Sequence, residues 1–344
     1  MTKDIKKILI IRLSSLGDVV LTTPVIKALK DKLPQAEIHF LTKSKYASLL
    51  KDNPHLSSIM ELEDRGVSGL LFTLRKIRKL NFDLVIDLHA NLRSFFIRRL
   101  SRAKLKIRYN KRWIARFLMV NFKKIKIPSQ HTVDSYLSCL KRLDIHISNR
   151  MPELYLDEKS KEFAEQLLTG VSKDDILIGI VPGAKWETKK WGEENFAKAI
   201  EILNNRIKAS FLVFGAKEDE VLISKLKSLA GDIDFMEIIG LPFPKLSALI
   251  SRCGIILTND SGPMHIAVAL KVPVLAIFGP THPKLGFSPL GERDTILCAN
   301  VECSPCSLHG ERECYQKTKI CMEKITPEMV ADEVLEILKD REKI

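Results

Sequence analysis

Residues 257–279, LTNDSGPMHIAVALKVPVLAIFG, decide the fold. Ile255, Ile256 and Leu257 close an apolar strand. Asn259, Asp260, Ser261 and Gly262 form a turn whose residue types suit the first turn of a helix. Met264, Ala267, Val268 and Leu270 give that helix an apolar face, and VPVLAIF is fit for a buried parallel strand. Such a unit leaves a helix N-terminus at the carboxyl edge of a sheet. Free backbone N–H groups and the positive end of the helix dipole suit a phosphate there, and Gly262 lets a ligand approach the backbone closely. Every α/β protein has strand–turn–helix units, so the turn alone reads equally well as a plain connection.

The alternation continues in both directions. Strands are predicted at 176–181, 210–214 and 235–239, separated by helices at 193–204, 218–230 and 245–251, with a last helix at 327–339. In the first half, strands are expected at 7–12, 37–41, 57–62, 83–88 and 105–107, and helices at 19–30, 68–79, 92–100 and 133–143. Pro24 either kinks the 19–30 helix or shifts its start. The pattern breaks near 149–156, NRMPELYL, and restarts. This places an N-terminal domain at 1–155, a C-terminal domain at 156–326 and a closing helix at 327–344. The expected class is α/β, with two Rossmann-like domains facing across a cleft and ligands outside the carboxyl ends of the strands.

A length of 344 residues suits two domains of about 150 each. No run approaches the roughly 20 apolar residues that span a bilayer. The apolar run 8–11 is too short for a signal peptide, which predicts a cytoplasmic protein. Charge is unevenly placed. Residues 1–150 carry 31 Lys and Arg against 12 Asp and Glu, whereas 151–344 carry 24 against 30. No acid lies between Asp87 and Asp134, while thirteen cations run from Arg93 to Lys126. A solvated surface needs fewer, so an anionic partner is expected: nucleic acid, an anionic membrane or a phosphorylated substrate.

Asp18 follows Gly17 in the turn after the first strand. It is placed either to cap a helix or to take a proton from a substrate hydroxyl. The segment 182–191, PGAKWETKKW, combines a Gly turn with Lys185, Lys189 and Lys190 and suits a diphosphate. GAKEDE, 215–220, ends the next strand with acids able to hold ribose hydroxyls or simply to meet solvent. Cys303, Cys306, Cys314 and Cys321 number enough thiols for a tetrahedral metal site. Their later spacing is not that of paired knuckles, so reduced structural cysteines are the default and no metal is expected.

With these residues in view, the chain resembles family 9 glycosyltransferases, the ADP-heptose:lipopolysaccharide heptosyltransferases. The resemblance lies in ILIIRLSSLGDVVLTTPVIKAL, DLVIDLHANLRS, PGAKWETKKWGEENFAKA and NDSGPMHIAVALKVPVLAIFGPTHP, in order along nearly the whole chain. It implies a GT-B fold and inverting transfer of heptose from ADP-heptose to the lipopolysaccharide inner core, with no metal or other cofactor. By motif position it makes Asp18 the general base and Lys189 the diphosphate contact. It puts Gly17, Lys185, Thr188, Asp260, Ser261, Gly262, Met264 and His265 at the nucleotide sugar, and Asp219 at the ribose, where Glu218 or Glu220 could serve instead. Ser15 and Arg93 would meet the acceptor, a lipid A–Kdo core. The basic residues from Arg98 to Lys126 would hold the enzyme on the anionic inner membrane. GFSPL, 286–290, leans towards the type II branch, with types I and III, or another family 9 glycosyltransferase with a different donor or acceptor, as alternatives. A nucleic-acid-binding reading of the basic segment is disfavoured by its few aromatics and the lack of a recognition motif.

Overall fold

The structure, a computed structural model, describes residues 4–63, 66–122, 127–145, 147 and 149–342. It is α/β and divides into two compact units. One comprises Met1–Arg112 with Gln130–Tyr155, the other Trp113–Ser129 with Leu156–Ile344.

The first unit opens with β1 (Lys7–Ile11), α1 (Leu16–Val20), α2 (Thr23–Lys32), β2 (Glu37–Lys43), α3 (Ser44–Ala47) and β3 (Ser58–Leu62). It continues with α4 (Gly66–Leu80), β4 (Leu84–Asp87), α5 (Leu92–Leu100) and β5 (Leu105–Arg108). The five strands form one parallel sheet in the order β3-β2-β1-β4-β5. Ile11 pairs with Leu41 on one side and Asp87 on the other, so β1 is central. Leu9, Ile11, Leu41 and Val85 pack with Ile77 of α4 and Ile97 of α5 in one apolar cluster. Pro24 acts as a start signal: α1 stops at Val20, and α2 begins at Thr23 with Pro24 in its first turn.

In the second unit α6 (Trp113–Asn121) is a helix that the sequence pattern does not announce. The Arg116 guanidinium lies 4.7 Å from the centre of the Phe287 ring, and Asn121 accepts a hydrogen bond from Arg312. These contacts account for the grouping of this segment with residues far along the chain. The helix expected at 133–143 divides into α7 (Thr132–Leu137), of the first unit, and a 3-10 turn at Ser138–Leu143.

The remaining elements of the second unit are α8 (Glu158–Leu167), β6 (Ile176–Val181), α9 (Glu193–Arg206), β7 (Ala209–Gly215), α10 (Glu220–Ala230), β8 (Met236–Ile239) and α11 (Phe243–Ile250). Then come β9 (Ile255–Asn259), α12 (Gly262–Ala269), β10 (Val274–Phe278), β11 (Thr295–Cys298), α13 (Ile320–Glu323) and α14 (Pro327–Glu342). The sheet is parallel, in the order β11-β10-β9-β6-β7-β8. Every residue of β9 and β10 is buried, as expected for strands covered on both faces. α14 packs Val330, Ala331 and Val334 into the same cluster as Ile180, Leu257 and Phe196.

Candidate active site

Two charged clusters stand at the carboxyl ends of central strands, one in each unit. In the first unit β1 delivers Arg12 directly past its last residue. Arg12 is 7% exposed. Its Nε donates to the Ser14 carbonyl at 2.7 Å, its Nη1 to the Leu88 carbonyl at 2.6 Å, and its Nη2 reaches Asp18 Oδ2 at 2.6 Å. Asp18 Oδ2 also accepts from the Ser15 hydroxyl at 2.8 Å and the Ser15 N–H at 3.3 Å. Oδ1 accepts the Tyr136 hydroxyl at 3.2 Å, from α7. Asp18 therefore does cap α1, and it is also the centre of a long-range network. Its side chain keeps 19% of its surface open.

The electrostatics follow from burial. Burial opposes the Arg12 charge most strongly, but Asp18, Tyr136 and Tyr109 together outweigh it and hold the guanidinium above its ordinary range. Burial pushes the Tyr136 hydroxyl well up, with the Asp18 charge adding to it against the opposing pull of Arg12, so it remains a donor. Burial and the neighbouring Arg12 depress His89 to about 4, despite the opposing pull of Asp18, which leaves a neutral imidazole beside the cluster.

At the end of β4, Asp87 is fully buried. It accepts from the His89 and Ala90 N–H groups at 3.0 and 2.8 Å and from the Ser94 hydroxyl at 3.1 Å. It fixes the turn into α5. Arg93, expected at the acceptor, stands in the first turn of α5, half-buried. Arg98 points inward, with Nε 3.5 Å from Asp87 and a side chain 16% exposed, so it does not present its charge outward. Lys123, Lys124 and Lys126, the end of the basic run, lie outside the described residues.

In the second unit β9 ends at Asn259, whose amide links two loops: Nδ2 donates to the Pro182 carbonyl at 2.8 Å, and Oδ1 accepts the Trp191 N–H at 3.1 Å. Asp260 follows, and its Oδ2 accepts from Thr281 at 2.7 Å and from Lys189 Nζ at 2.7 Å. Lys189 Nζ also donates to the Asp260 carbonyl at 3.2 Å. The two side chains are 13% and 10% exposed. Ser261 precedes α12, with its hydroxyl 3.1 Å from that of Thr258, and Gly262 is the first helical residue. Met264 is fully buried, with no side-chain surface left for a ligand, and His265 is buried at 5%.

Lys189 ends a short 3-10 turn, Glu187–Lys189, which is fastened from a distance. Thr188 Oγ1 donates to the Gly310 carbonyl at 2.5 Å. Gly310 has φ +89°, and a Cβ there would fall 2.8 Å from Lys189 Cγ. Only glycine satisfies both conditions. Lys185 is exposed and lies over the Trp186 ring at 5.1 Å. Asp219 turns towards the Gly183 backbone, where a Cβ would fall 2.5 Å from its Oδ2. Glu218 and Glu220 are exposed.

Cys303, Cys306, Cys314 and Cys321 line one cavity of about 10 Å³ with Thr188 and Lys319, and all four are free thiols. That volume holds about one water molecule. Burial, and then the other three thiols, push Cys321 up to about 12. Among the described residues no three His, Cys, Asp or Glu side chains are arranged to hold a metal ion.

Sequence reasoning missed Arg12, Tyr136, His89 and Gly310, and read Asn259 only as a turn residue. Arg12 and His89 lie within motif segments and could have been suspected from position, whereas Tyr136 and Gly310 carry no local signal.

Comparison with known proteins gives the family and the fold. The chain is 29% identical over 284 residues to lipopolysaccharide heptosyltransferase 3 of Escherichia coli (strain K12), covering 77% of this chain and 80% of that protein. The crystal structure of a family 9 glycosyl transferase from Veillonella parvula DSM 2008 superposes with a TM-score of 0.83 at 24% identity, covering 99% of each chain. The structure of E. coli ADP-heptose lps heptosyltransferase II gives 0.76 at 21%, covering 98% and 99%. The fold is GT-B. The profile of glycosyltransferase family 9 (heptosyltransferase) matches residues 72–316, and the chain belongs to that family of glycosyltransferases.

Proposed function

We propose that the protein transfers L-glycero-D-manno-heptose from ADP-heptose, with inversion and without a metal, to the first heptose of the lipopolysaccharide inner core. The observation that carries this reading is Asp18: a carboxylate in the first turn of α1, held by Arg12, Ser15 and Tyr136, with part of its surface open. Inversion takes one displacement. An acceptor hydroxyl oxygen bonds to the anomeric carbon, the bond from that carbon to the β-phosphate oxygen breaks, and ADP departs with the electron pair. The hydroxyl proton passes to Asp18, a step worth about 10²–10⁴-fold. Oδ2 already carries Arg12 and Ser15, so Oδ1, beside Tyr136, is the oxygen assigned to the proton.

The departing diphosphate gathers negative charge. Lys189 has three N–H donors, two of which address Asp260 oxygens, and the third is assigned to the β-phosphate. The N–H groups at Ser261 and Gly262 supply further fixed positive ends. Thr188 and Lys185 flank the diphosphate, and Asp219 takes the ribose hydroxyls. Gly17 borders the nucleotide sugar, and Ser15 and Arg93 border the acceptor, a lipid A–Kdo core that brings the enzyme to the inner face of the cytoplasmic membrane. Types 3 and II both occur among the named relatives. The GFSPL segment supports type II.

The test is a transfer assay with ADP-heptose and two acceptors, Kdo₂-lipid A and its monoheptosylated form, read by product mass. Addition only to the monoheptosylated form is expected. Addition to the heptose-free acceptor would make it type I, and addition to neither would send the search to another sugar or acceptor. Excess EDTA should leave the rate unchanged; loss restored by Mg²⁺ would overturn the metal-free mechanism.

A further inference from the structure

α4 and α5 share a feature that neither proposed substrate uses. Both press their inner residues, Ile77 and Ile97, into the same cluster on one face of the first sheet, and Arg78 Nε donates to the Leu100 carbonyl across them at 2.9 Å. Their outer faces therefore look the same way. Those faces are not the polar surfaces expected of amphipathic helices. Leu71 and Phe72 of α4 are 51% and 44% exposed, and Leu92, Phe95, Phe96 and Leu100 of α5 are 73%, 40%, 44% and 40% exposed. Large apolar side chains packed this densely on a surface mark a contact site.

The charge around them has one sign. Arg75, Lys76 and Lys79 occupy the exposed positions of the second half of α4, and Arg99 and Arg102 those at the end of α5. Lys76 Nζ stands 4.3 Å from the centre of the Phe72 ring. Neither 66–82 nor 88–112 contains an Asp or Glu. A protein partner would have to bring its own acids and a shaped apolar pocket. An anionic bilayer supplies negative headgroups at the level of the cations and acyl chains below them, without any shape requirement. Flexible leucines and mutually tilted phenylalanines, with Phe95 and Phe96 at 73°, suit acyl chains better than stacked bases.

We infer that the outer face of α4 and α5 is a bilayer-docking surface, in which Leu71, Phe72, Leu92, Phe95, Phe96 and Leu100 enter the acyl boundary and Arg75, Lys76, Arg99 and Arg102 bind anionic headgroups. This deepens the lipid-acceptor reading above and moves the expected membrane contact away from the inward-turned Arg98. Docking of this kind is peripheral: among the described residues no helix is long and apolar enough to cross a membrane.

The full chain is sedimented with vesicles of phosphatidylcholine containing about one third phosphatidylglycerol, and with phosphatidylcholine alone. Neither contains an acceptor, so binding reports the face alone. The wild type should bind the anionic vesicles and largely ignore the neutral ones, with affinity falling as salt rises. Leu92→Ser with Phe96→Ser should reduce partitioning by about tenfold or more, and Arg99→Gln with Arg102→Gln by at least about tenfold. The melting temperature and its rise with ADP should stay unchanged in both. Unchanged partitioning in the apolar variant, or a change of oligomeric state in its place, would overturn the docking face. Normal ADP binding and transfer to a delipidated acceptor would then leave the proposed reaction standing.

Discussion

The two units hold an ion pair at the same kind of place, just past the end of a central strand, and use it with opposite sign. In the first, a buried cation, Arg12, holds an acid whose surface is partly open. In the second, a buried acid, Asp260, holds the cation proposed to meet the diphosphate, Lys189. A buried pair is a poor source of stability, because desolvation offsets most of its attraction. What it provides is position. Each pair fixes the rotamer of one long or reactive side chain without filling its last valence. Read this way, Arg12 and Asp260 are holders, and Asp18 and Lys189 are the groups held.

The largest expected effect breaks the first pair. Asp18→Asn keeps the shape and the Ser15 contacts but cannot take a proton. Turnover should fall by about 10²–10⁴-fold while the ADP-induced rise in melting temperature persists. A near-normal rate in the transfer assay would return Asp18 to the role of a helix cap. Next comes the second pair. Lys189→Gln retains a donor towards Asp260 and removes the charge. Calorimetry should show ADP binding weakened by about 10- to 100-fold, and a loss confined to acceptor affinity would mean that the two units have been assigned the wrong way round.

A smaller effect tests the holding itself. Gly310→Ala puts a methyl group where the Lys189 stem lies and forces a positive φ on alanine. The Lys189 segment should shift, with transfer slowed by about tenfold and the fold preserved. An unaffected rate would show that Lys189 finds its place without this support.

The smallest effect concerns acid. His89 is held near 4 in the folded chain against 6.5 as the ordinary value, so below about 6.5 the unfolded chain binds a proton that the native one refuses. The His89 contribution is complete above 6.5 and is lost as pH falls towards 4. His89→Gln should flatten the decline of melting temperature across that window. An unchanged slope would show that the imidazole beside Arg12 is not the group responsible.

The sheets were legible because their strands are runs of buried Ile, Leu and Val broken by polar turns, a local signal. The motif turns were legible for the same reason, but the turns alone left Asp18 as cap or base and Lys189 among three lysines, and it was the family resemblance that named Asp18, Lys189 and Asp260. α6 was missed because its only cues are aromatic and apolar residues that stay exposed, and its partners Phe287 and Arg312 lie far along the chain. β11, a half-buried edge strand of four residues, gave too weak a pattern. Tyr136 reaches Asp18 across 118 residues, and Gly310 reaches Thr188 across 122. No spacing rule covers such distances. Charge counting found the basic half but could not tell an inward arginine such as Arg98 from an outward one such as Arg99.

The stacking of Lys185 on Trp186 carries one more consequence. The chain has three tryptophans. Trp191 is sealed at 3% exposure, with its indole N–H bonded to the Ile325 carbonyl. Trp113 is open to water at 64%. Trp186 has an exposed cation, Lys185, over its ring, in the loop assigned to the diphosphate. A nucleotide that draws Lys185 away changes the field on one indole and leaves the other two as fixed references. The protein carries its own optical titrant.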